Sequence, residues 1–170
     1  MKCYRRGRLC VLVSGFVLLI CSESFGQTSI PSNEEIQELA SKADEKISGF
    51  ETAIRTAKPK LDLVDPTLSS NYLHAASQGH AVVSGIRKSG SSAYALVLLI
   101  GTLDDLSLDA MTASVDLLIQ GSQSGQACCS SLLVPLMTSK NECNDISELL
   151  MHATLRLIHA EEDVIQKLPK

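Results

Sequence analysis

The residues best suited to chemistry lie near the carboxyl terminus, where Glu148, His152, Arg156, His159 and Asp163 recur every three or four positions. In a helix this spacing puts all five on one side, and such a face could bind a metal ion or transfer protons. His152 and His159 lie about 10.5 Å apart along a helix axis, which is too far for one ion without ligands from elsewhere. The spacing therefore favours a solvated face with ion pairs between successive turns.

A second group is a row of aspartates, Asp105, Asp109 and Asp116, which would share one face of a helix with Thr112. Carboxylates are the ligands that divalent cations prefer, so the row could in principle bind one. These three residues span about 16 Å along a helix and lack the close loop spacing of a calcium site. A solvated acidic face is the favoured interpretation, and we expect no metal ion or other cofactor.

Linear signatures of catalysis are missing from the chain. Residues 121–125 superficially match a nucleophile elbow, but Gln123 stands where the nucleophilic serine belongs. Phosphate-binding loops, dinucleotide fingerprints and the His-Glu-x-x-His zinc helix are also absent. Catalytic residues can be assembled from distant positions, so the sequence disfavours an enzyme without excluding one.

The first 26 residues have the layout of a secretory signal peptide, with a basic stretch at residues 2–8 before an apolar run at residues 9–21. A run of 13 residues is shorter than the roughly 20 that span a bilayer, and small residues near Gly26 suit a signal peptidase. We therefore expect cleavage after Gly26. The mature protein would be periplasmic or secreted, with no stable membrane insertion.

Cys21 leaves one alternative open at this place. A cysteine followed by Ser22 at the end of an apolar run matches the lipidated cysteine of a bacterial lipoprotein. Such proteins generally carry Gly, Ala or Ser immediately before the cysteine, whereas this chain has the bulky Ile20. Simple cleavage is favoured over lipidation for that reason.

The predicted mature chain, residues 27–170, is acidic. Cleavage removes four of 15 basic and one of 19 acidic residues, which leaves 11 and 18 and changes the formal charge from −4 to −7. Nucleic acids and anionic membranes need clustered Lys and Arg, and the longest basic run that remains is Arg87-Lys88. We expect no nucleic-acid partner, and the length fits a single domain.

Three cysteines would remain after cleavage: Cys128, Cys129 and Cys143. A disulfide between Cys143 and one member of the adjacent pair would close a loop of about 15 residues and stabilise the fold by roughly 3 kcal/mol. The third thiol is then either buried or available to join two chains as a homodimer. Zinc and thiol redox chemistry are disfavoured, because the ligand set is incomplete and a Cys-x-x-Cys motif is absent.

Helices are predicted along most of the mature chain, including the segments that carry these candidate residues. Ser32 and Glu35 form a capping box, and the apolar residues that follow alternate at spacings of four and three as far as Pro59. The proline should end or kink this first helix. Asp65-Pro66 begins a second helix, which ends at Ser89-Gly90.

Small residues in the second helix, Ala75, Ala76 and Gly79, would let a neighbouring helix approach closely. The third helix is long, from Ser92 to Gln120. Its segment 95–100 is apolar on all sides, as expected for a central helix that several partners cover.

The last part of the chain predicts a turn at residues 121–126, a short apolar helix at 127–139 that Pro135 interrupts, and a second turn at 139–144. A final amphipathic helix then begins at Asp145. The predicted fold is all-α: an up-and-down bundle of four long amphipathic helices plus one shorter helix.

Two functions from different classes fit this description. The favoured one is an exported structural or protein-interaction module, whose acidic surface or Cys128-Cys129 region contacts an unknown protein partner. The alternative is a small-molecule or metal-ion binding bundle with a cavity between its helices.

Overall fold

The computed structural model describes residues 29–89, 92–124 and 130–166, which form four α-helices. They belong to one compact unit, Pro31–Lys170, and pack as an up-and-down bundle, which confirms the predicted all-α fold. The predicted signal peptide lies outside the described residues. The helices are α1 (Asn33–Val64), α2 (Leu68–Ser89), α3 (Ala93–Ser124) and α4 (Ser130–Gln166).

α1 and α3 form the middle of the bundle. Each contacts the other and both remaining helices, whereas α2 and α4 make no contact with each other within the described ranges. Small side chains allow two helix backbones to come close, and both central helices bury several alanines. Because α1 and α3 pack against each other in the middle, their outer faces point to opposite sides of the bundle. The buried alanines are Ala40, Ala43, Ala53, Ala57, Ala110 and Ala113.

α1 begins where the sequence predicted. The hydroxyl oxygen of Ser32 accepts a hydrogen bond from the backbone N–H of Glu35 at 3.0 Å, which satisfies a donor that has no partner inside the helix. The predicted apolar stripe faces the core, and every member is at most 1% exposed. The stripe comprises Ile36, Ala40, Ala43, Ile47, Phe50, Ile54 and Ala57.

α1 continues past Pro59 to Val64, so the helix does not end at the proline, which was one of the two outcomes that the sequence predicted. Pro59 is exposed, so the backbone carbonyl of Arg55, which loses its hydrogen bond, lies on the same outer face and can be hydrated. Leu61 is fully buried, and burial of a leucine side chain contributes about 2 kcal/mol. Core packing after the proline keeps the chain helical.

The turn between α1 and α2 is held by side-chain hydrogen bonds. Asp65 accepts from both the backbone N–H and the hydroxyl of Thr67, each at 2.8 Å. The buried hydroxyl of Ser69 donates to Asp62 at 2.5 Å and accepts from Lys58 at 2.9 Å. These contacts fix the first turn of α2 against the last turns of α1.

α2 approaches both central helices at Gly79. A Cβ atom added there would lie 3.0 Å from Ile47 Cδ1 of α1 and 3.3 Å from Thr102 Cγ2 of α3. Such distances leave little room for a larger side chain, so the predicted close approach at this residue is confirmed.

The predicted short fifth helix is absent from the part of the chain that the structure describes. α3 extends through most of the predicted turn at 121–126, as far as Ser124, and α4 is continuous from Ser130 to Gln166. Pro135 is exposed near the start of α4 and does not interrupt it, and the predicted turn at 139–144 is helical.

Packing explains why the predicted second turn is helical. Ser139 is 4% exposed and Cys143 is fully buried, and both side chains are small enough to pack in the core. They fill positions of a stripe that keeps the alternating three and four spacing through a segment of polar appearance. The buried stripe of α4 is Leu136, Ser139, Cys143, Ile146, Leu150 and Ala153.

Candidate functional site

The outer face of α3 exposes large apolar side chains. Eight of them are between 41% and 78% exposed, and their spacing places them on the side of the helix opposite the buried Leu99, Leu103 and Leu106. We call this surface the α3 apolar face. It consists of Tyr94, Val97, Leu98, Leu108, Met111, Val115, Leu118 and Ile119.

The sequence predicted that segment 95–100 would be covered on all sides, and this prediction was wrong for its outer side. Leu96 and Leu99 are fully buried, but Val97 is 53% and Leu98 is 48% exposed. Helices α1, α2 and α4 all pack on the inner side of α3, so no described residue covers the outer side.

The apolar surface of the α3 apolar face is divided along the helix. Its eight side chains together present on the order of 600 Å² of accessible surface, and each of the two groups that they form is within the range of the patches that monomers usually expose. Gly101, Asp104 and Asp105 separate a smaller group near the start of α3 from a larger one between Leu108 and Ile119. The larger group provides the denser apolar surface.

The predicted aspartate row borders this face on the side of α2. Tyr72 of α2 donates a hydrogen bond to Asp116 at 3.5 Å, which locates the row beside that helix. Burial, and then the negative charge of Asp105, raises the pKa of Asp109 above its ordinary value. Burial and the charges of Asp116 and Asp109 raise the pKa of Tyr72 to about 12. Burial and neighbouring negative charge cause both shifts, and no cation of the described residues is among their causes.

α3 supplies no cation of its own, because it contains four aspartates and no Lys, Arg or His. None of the ion pairs that join described residues includes one of these aspartates. Asp104, on the edge toward α4, accepts a hydrogen bond from Ser147 at 2.6 Å. The face is thus apolar along its length and acidic at its border.

Sequence reasoning missed an ionic network between α1 and α2. Asp44 lies 2.6 Å from His80 Nδ1 and 2.9 Å from Arg87, while Glu51 lies 3.6 Å from His80 Nε2. Burial acts to raise the pKa of Asp44, but hydrogen bonds from His80 and Arg87 outweigh it and hold that pKa below its ordinary value. Asp44 and His80 are 36 positions apart, so no local spacing could have joined them.

The predicted polar face of the last helix is divided between two environments. Arg156 points toward α1, where it pairs with Glu35, and its side chain is only 19% exposed. It therefore belongs to the contact between α1 and α4. The described residues hold no group of three or more His, Cys, Asp or Glu side chains that could bind a metal ion. Glu148, His152 and His159 are exposed, and the side chain of Asp163 lies outside the description.

Cys143 is buried as a free thiol, and burial followed by the charge of Glu142 raises its pKa to about 12. Cys128 and Cys129 lie outside the described residues. The helix from Ser130 puts Cys143 about 20 Å away along α4, and two more residues reach at most about 8 Å. Disulfide-bonded Cα atoms lie within about 7 Å, so the predicted bridge, still untested, would require the first turns of α4 to unwind.

No helix in the described ranges is both long enough and apolar enough to cross a membrane. Comparison of the chain with known protein families, with curated proteins and with solved structures found no match. The α3 apolar face and its acidic border must therefore be interpreted from their own residues.

Proposed function

We propose that this protein is an exported protein-interaction module that binds its partner through the α3 apolar face. The observation that carries the proposal is the exposure of eight large apolar side chains on a helix whose opposite side already fills the core. Burial of apolar surface contributes roughly 25 cal/mol per Å², so covering most of this face would offset much of the entropy lost on association. Exposed patches of this size commonly mark binding sites.

The ionic network does not favour an enzyme. His80 has one ring nitrogen beside Asp44, as a catalytic base would, but its other nitrogen faces the carboxylate of Glu51 at 3.6 Å. A nucleophilic hydroxyl or thiol would be needed at that second nitrogen. The network instead cross-links α1 and α2. No specific observation favours the alternative of a small-molecule or metal-binding bundle.

Photo-crosslinking in the cells that produce the protein tests the binding surface. A benzoylphenylalanine placed at Val115, which is 47% exposed on the α3 apolar face, should yield a discrete crosslinked adduct with a protein. The same probe at Glu45, exposed on the opposite side of the bundle, is the matched control and should yield none. The adduct should disappear in Leu108→Asp, which places a charge two turns from the probe.

Two results would count against this surface. One is the absence of any adduct from Val115, and the other is equal crosslinking from Val115 and Glu45. Circular dichroism of Leu108→Asp must match that of the unaltered protein, so that loss of the adduct reports the surface and not the fold.

The proposal that the protein is exported depends on its first 26 residues, and a separate experiment tests it. The mature protein isolated from an extracytoplasmic fraction should begin at Gln27 when its amino terminus is sequenced. A chain that begins at an acylated Cys21 would instead identify a lipoprotein. Recovery of the chain only inside the cell, with Met1 or the leader still attached, would contradict export.

The cysteines have a separate experiment. With α4 helical from Ser130, we expect Cys143 to remain a thiol, and peptide mapping of freshly alkylated protein should recover it alkylated. A mapped bridge from Cys143 to Cys128 or Cys129 would show that the first turns of α4 unwind. An intermolecular bridge would appear as a dimer in non-reducing electrophoresis and vanish in Cys128→Ser or Cys129→Ser.

A further inference from the structure

The α3 apolar face combines two features that together restrict its partner. Its larger group, from Leu108 to Ile119, supplies apolar contacts over about 16 Å of helix. Its border with α2 supplies a line of carboxylates, Asp105, Asp109 and Asp116, separated by four and seven positions. A partner that covers the apolar surface must also bring these carboxylates into a less hydrated environment.

We infer that the occupant of this face is an amphipathic helix of another protein, with an apolar side against α3 and Lys or Arg residues along the edge that meets Asp105, Asp109 and Asp116. The inference rests on the proposed function and specifies the partner of the same surface. A helix suits the site because its side chains repeat at three and four positions, as those of α3 do. Basic residues spaced by about four and seven positions would match the three carboxylates.

Charge argues against a second copy of this chain as the occupant. If two α3 helices packed face to face in antiparallel orientation, a two-fold axis would set one aspartate row against the other. In parallel orientation each row would face the opposite edge of the other helix, where Asp104 lies. Because α3 contains no Lys, Arg or His, the facing helix itself supplies no cation in either arrangement, and like charges that face each other oppose association.

The electrostatics of the free protein agree with a cationic partner. The carboxyl of Asp109 loses its proton less readily than an ordinary aspartate, because it is half-buried and close to Asp105. A Lys or Arg placed beside the row would relieve this repulsion, so the basic edge of the partner would gain more here than beside an already paired carboxylate. An anionic membrane surface would gain nothing from the row.

A synthetic peptide provides the probe. It is an 18-residue helix with Leu along one side, Lys along the adjoining edge and Gln elsewhere, and its affinity for the purified protein is measured by fluorescence anisotropy. Two companion peptides carry Gln or Glu in place of Lys. The protein variants are Asp105→Asn/Asp109→Asn/Asp116→Asn and a control on the outer face of α1, Glu34→Gln/Glu38→Gln/Glu45→Gln, which removes the same charge from the opposite side.

The expected result is binding of the Lys peptide with an affinity about tenfold higher than that of the Gln peptide, since several exposed ion pairs together contribute a factor of this size. The triple aspartate variant should lose about that factor, and the triple glutamate control should lose less than twofold. The loss should shrink at high salt, because the interaction is between solvated charges.

Other outcomes overturn the inference. Equal binding of the Lys, Gln and Glu peptides would show that charge does not select the partner. If Leu108→Asp then abolished the binding of all three peptides, the proposed function of the α3 apolar face would still stand. Equal losses of affinity in the two triple variants would show that the net charge of the protein, and not the position of the carboxylates, controls binding. A dimer in sedimentation that Leu108→Asp abolishes would identify a second copy as the occupant. No binding of any peptide would also overturn the inference, and the Val115 crosslink would then decide separately whether the face binds a protein.

Discussion

α1 and α3 have the same length, 32 residues, and the same place in the middle of the bundle, yet their outer faces differ completely. The outer face of α1 carries charged and hydroxyl side chains and no large apolar ones between its first turn and Pro59. The outer face of α3 carries the apolar side chains described above and aspartates that form no ion pair with another described residue. Glu38 pairs with Lys42 at 2.6 Å on the outer face of α1, while Glu51 with Arg55 at 2.5 Å and Lys58 with Asp62 at 2.7 Å lie on the side of α1 toward α2.

The comparison separates what the fold requires from what it does not. Both helices bury a continuous stripe toward the core, and that stripe is all that the bundle needs from them. Exposed ion pairs such as those of α1 add little stability but keep a helix hydrated. An apolar outer face adds nothing to the isolated bundle and lowers its solubility, and this cost is the reason for our proposal that another molecule covers the outer face of α3.

The largest expected effect contrasts the two sides of α3. Leu103→Ala removes a fully buried side chain and should lower the free energy of unfolding by about 2 to 5 kcal/mol, because it leaves a cavity in the core. Leu108→Ala removes a side chain that is 55% exposed and should change that free energy by less than about 0.5 kcal/mol. Urea denaturation followed by circular dichroism measures both.

An equal loss of stability in Leu108→Ala and Leu103→Ala would contradict the difference between the two sides of α3. That result would mean that the α3 apolar face is already buried in the purified protein. Repeating the denaturation at tenfold lower protein concentration would then show whether self-association buries it, because the stability of an oligomer falls on dilution.

The inner faces of the helices could be predicted from the sequence, whereas some of their ends could not. Leu99, Leu103 and Leu106 repeat at helical spacing, and burial follows from that spacing in any compact bundle. Helix ends were inferred from proline and from short polar stretches, which act locally. Burial of Leu61 after the first proline and of Cys143 within a polar stretch outweighs those local signals, and neither burial can be read from neighbouring residues.

The proposed binding surface could be predicted only in part from the sequence. The aspartate row was recognised from its spacing, but the apolar residues of α3 were interpreted as covered on all sides. An apolar helix has the same sequence pattern whether three or four neighbours surround it, so the pattern cannot tell which side stays open. The pair of Asp44 and His80 was missed for a related reason, since it depends on how α1 and α2 are aligned.

A smaller effect on stability is expected at Asp44, a carboxylate that has cationic partners within the bundle. Asp44→Asn removes the charge that His80 and Arg87 contact, and should lower the free energy of unfolding at pH 7 by about 1 kcal/mol, since these partners are partly exposed. Because folding lowers the pKa of Asp44, its contribution is complete above the ordinary pKa of aspartate and is lost as pH falls through the lowered value. Urea denaturation from pH 7 to pH 3 should show the two proteins converging. A constant difference across that range would assign the effect to packing.

The smallest effect has the opposite sign and belongs to Asp109 of α3. Folding raises the pKa of this carboxyl through burial and the charge of Asp105, so its ionised form is less favourable in the folded state than in the unfolded state. This penalty is complete above the raised pKa and disappears as pH falls below the ordinary value, where both states are protonated. Asp109→Asn should therefore raise the free energy of unfolding at pH 7 by a few tenths of a kcal/mol, and the gain should vanish near pH 3.

Asp145→Asn, at an exposed position of α4, is the control and should change little at either pH. If Asp109→Asn destabilised the protein at pH 7 as Asp44→Asn does, the aspartate row would have a cationic partner within the protein, and the contrast between the outer faces of α1 and α3 would no longer hold.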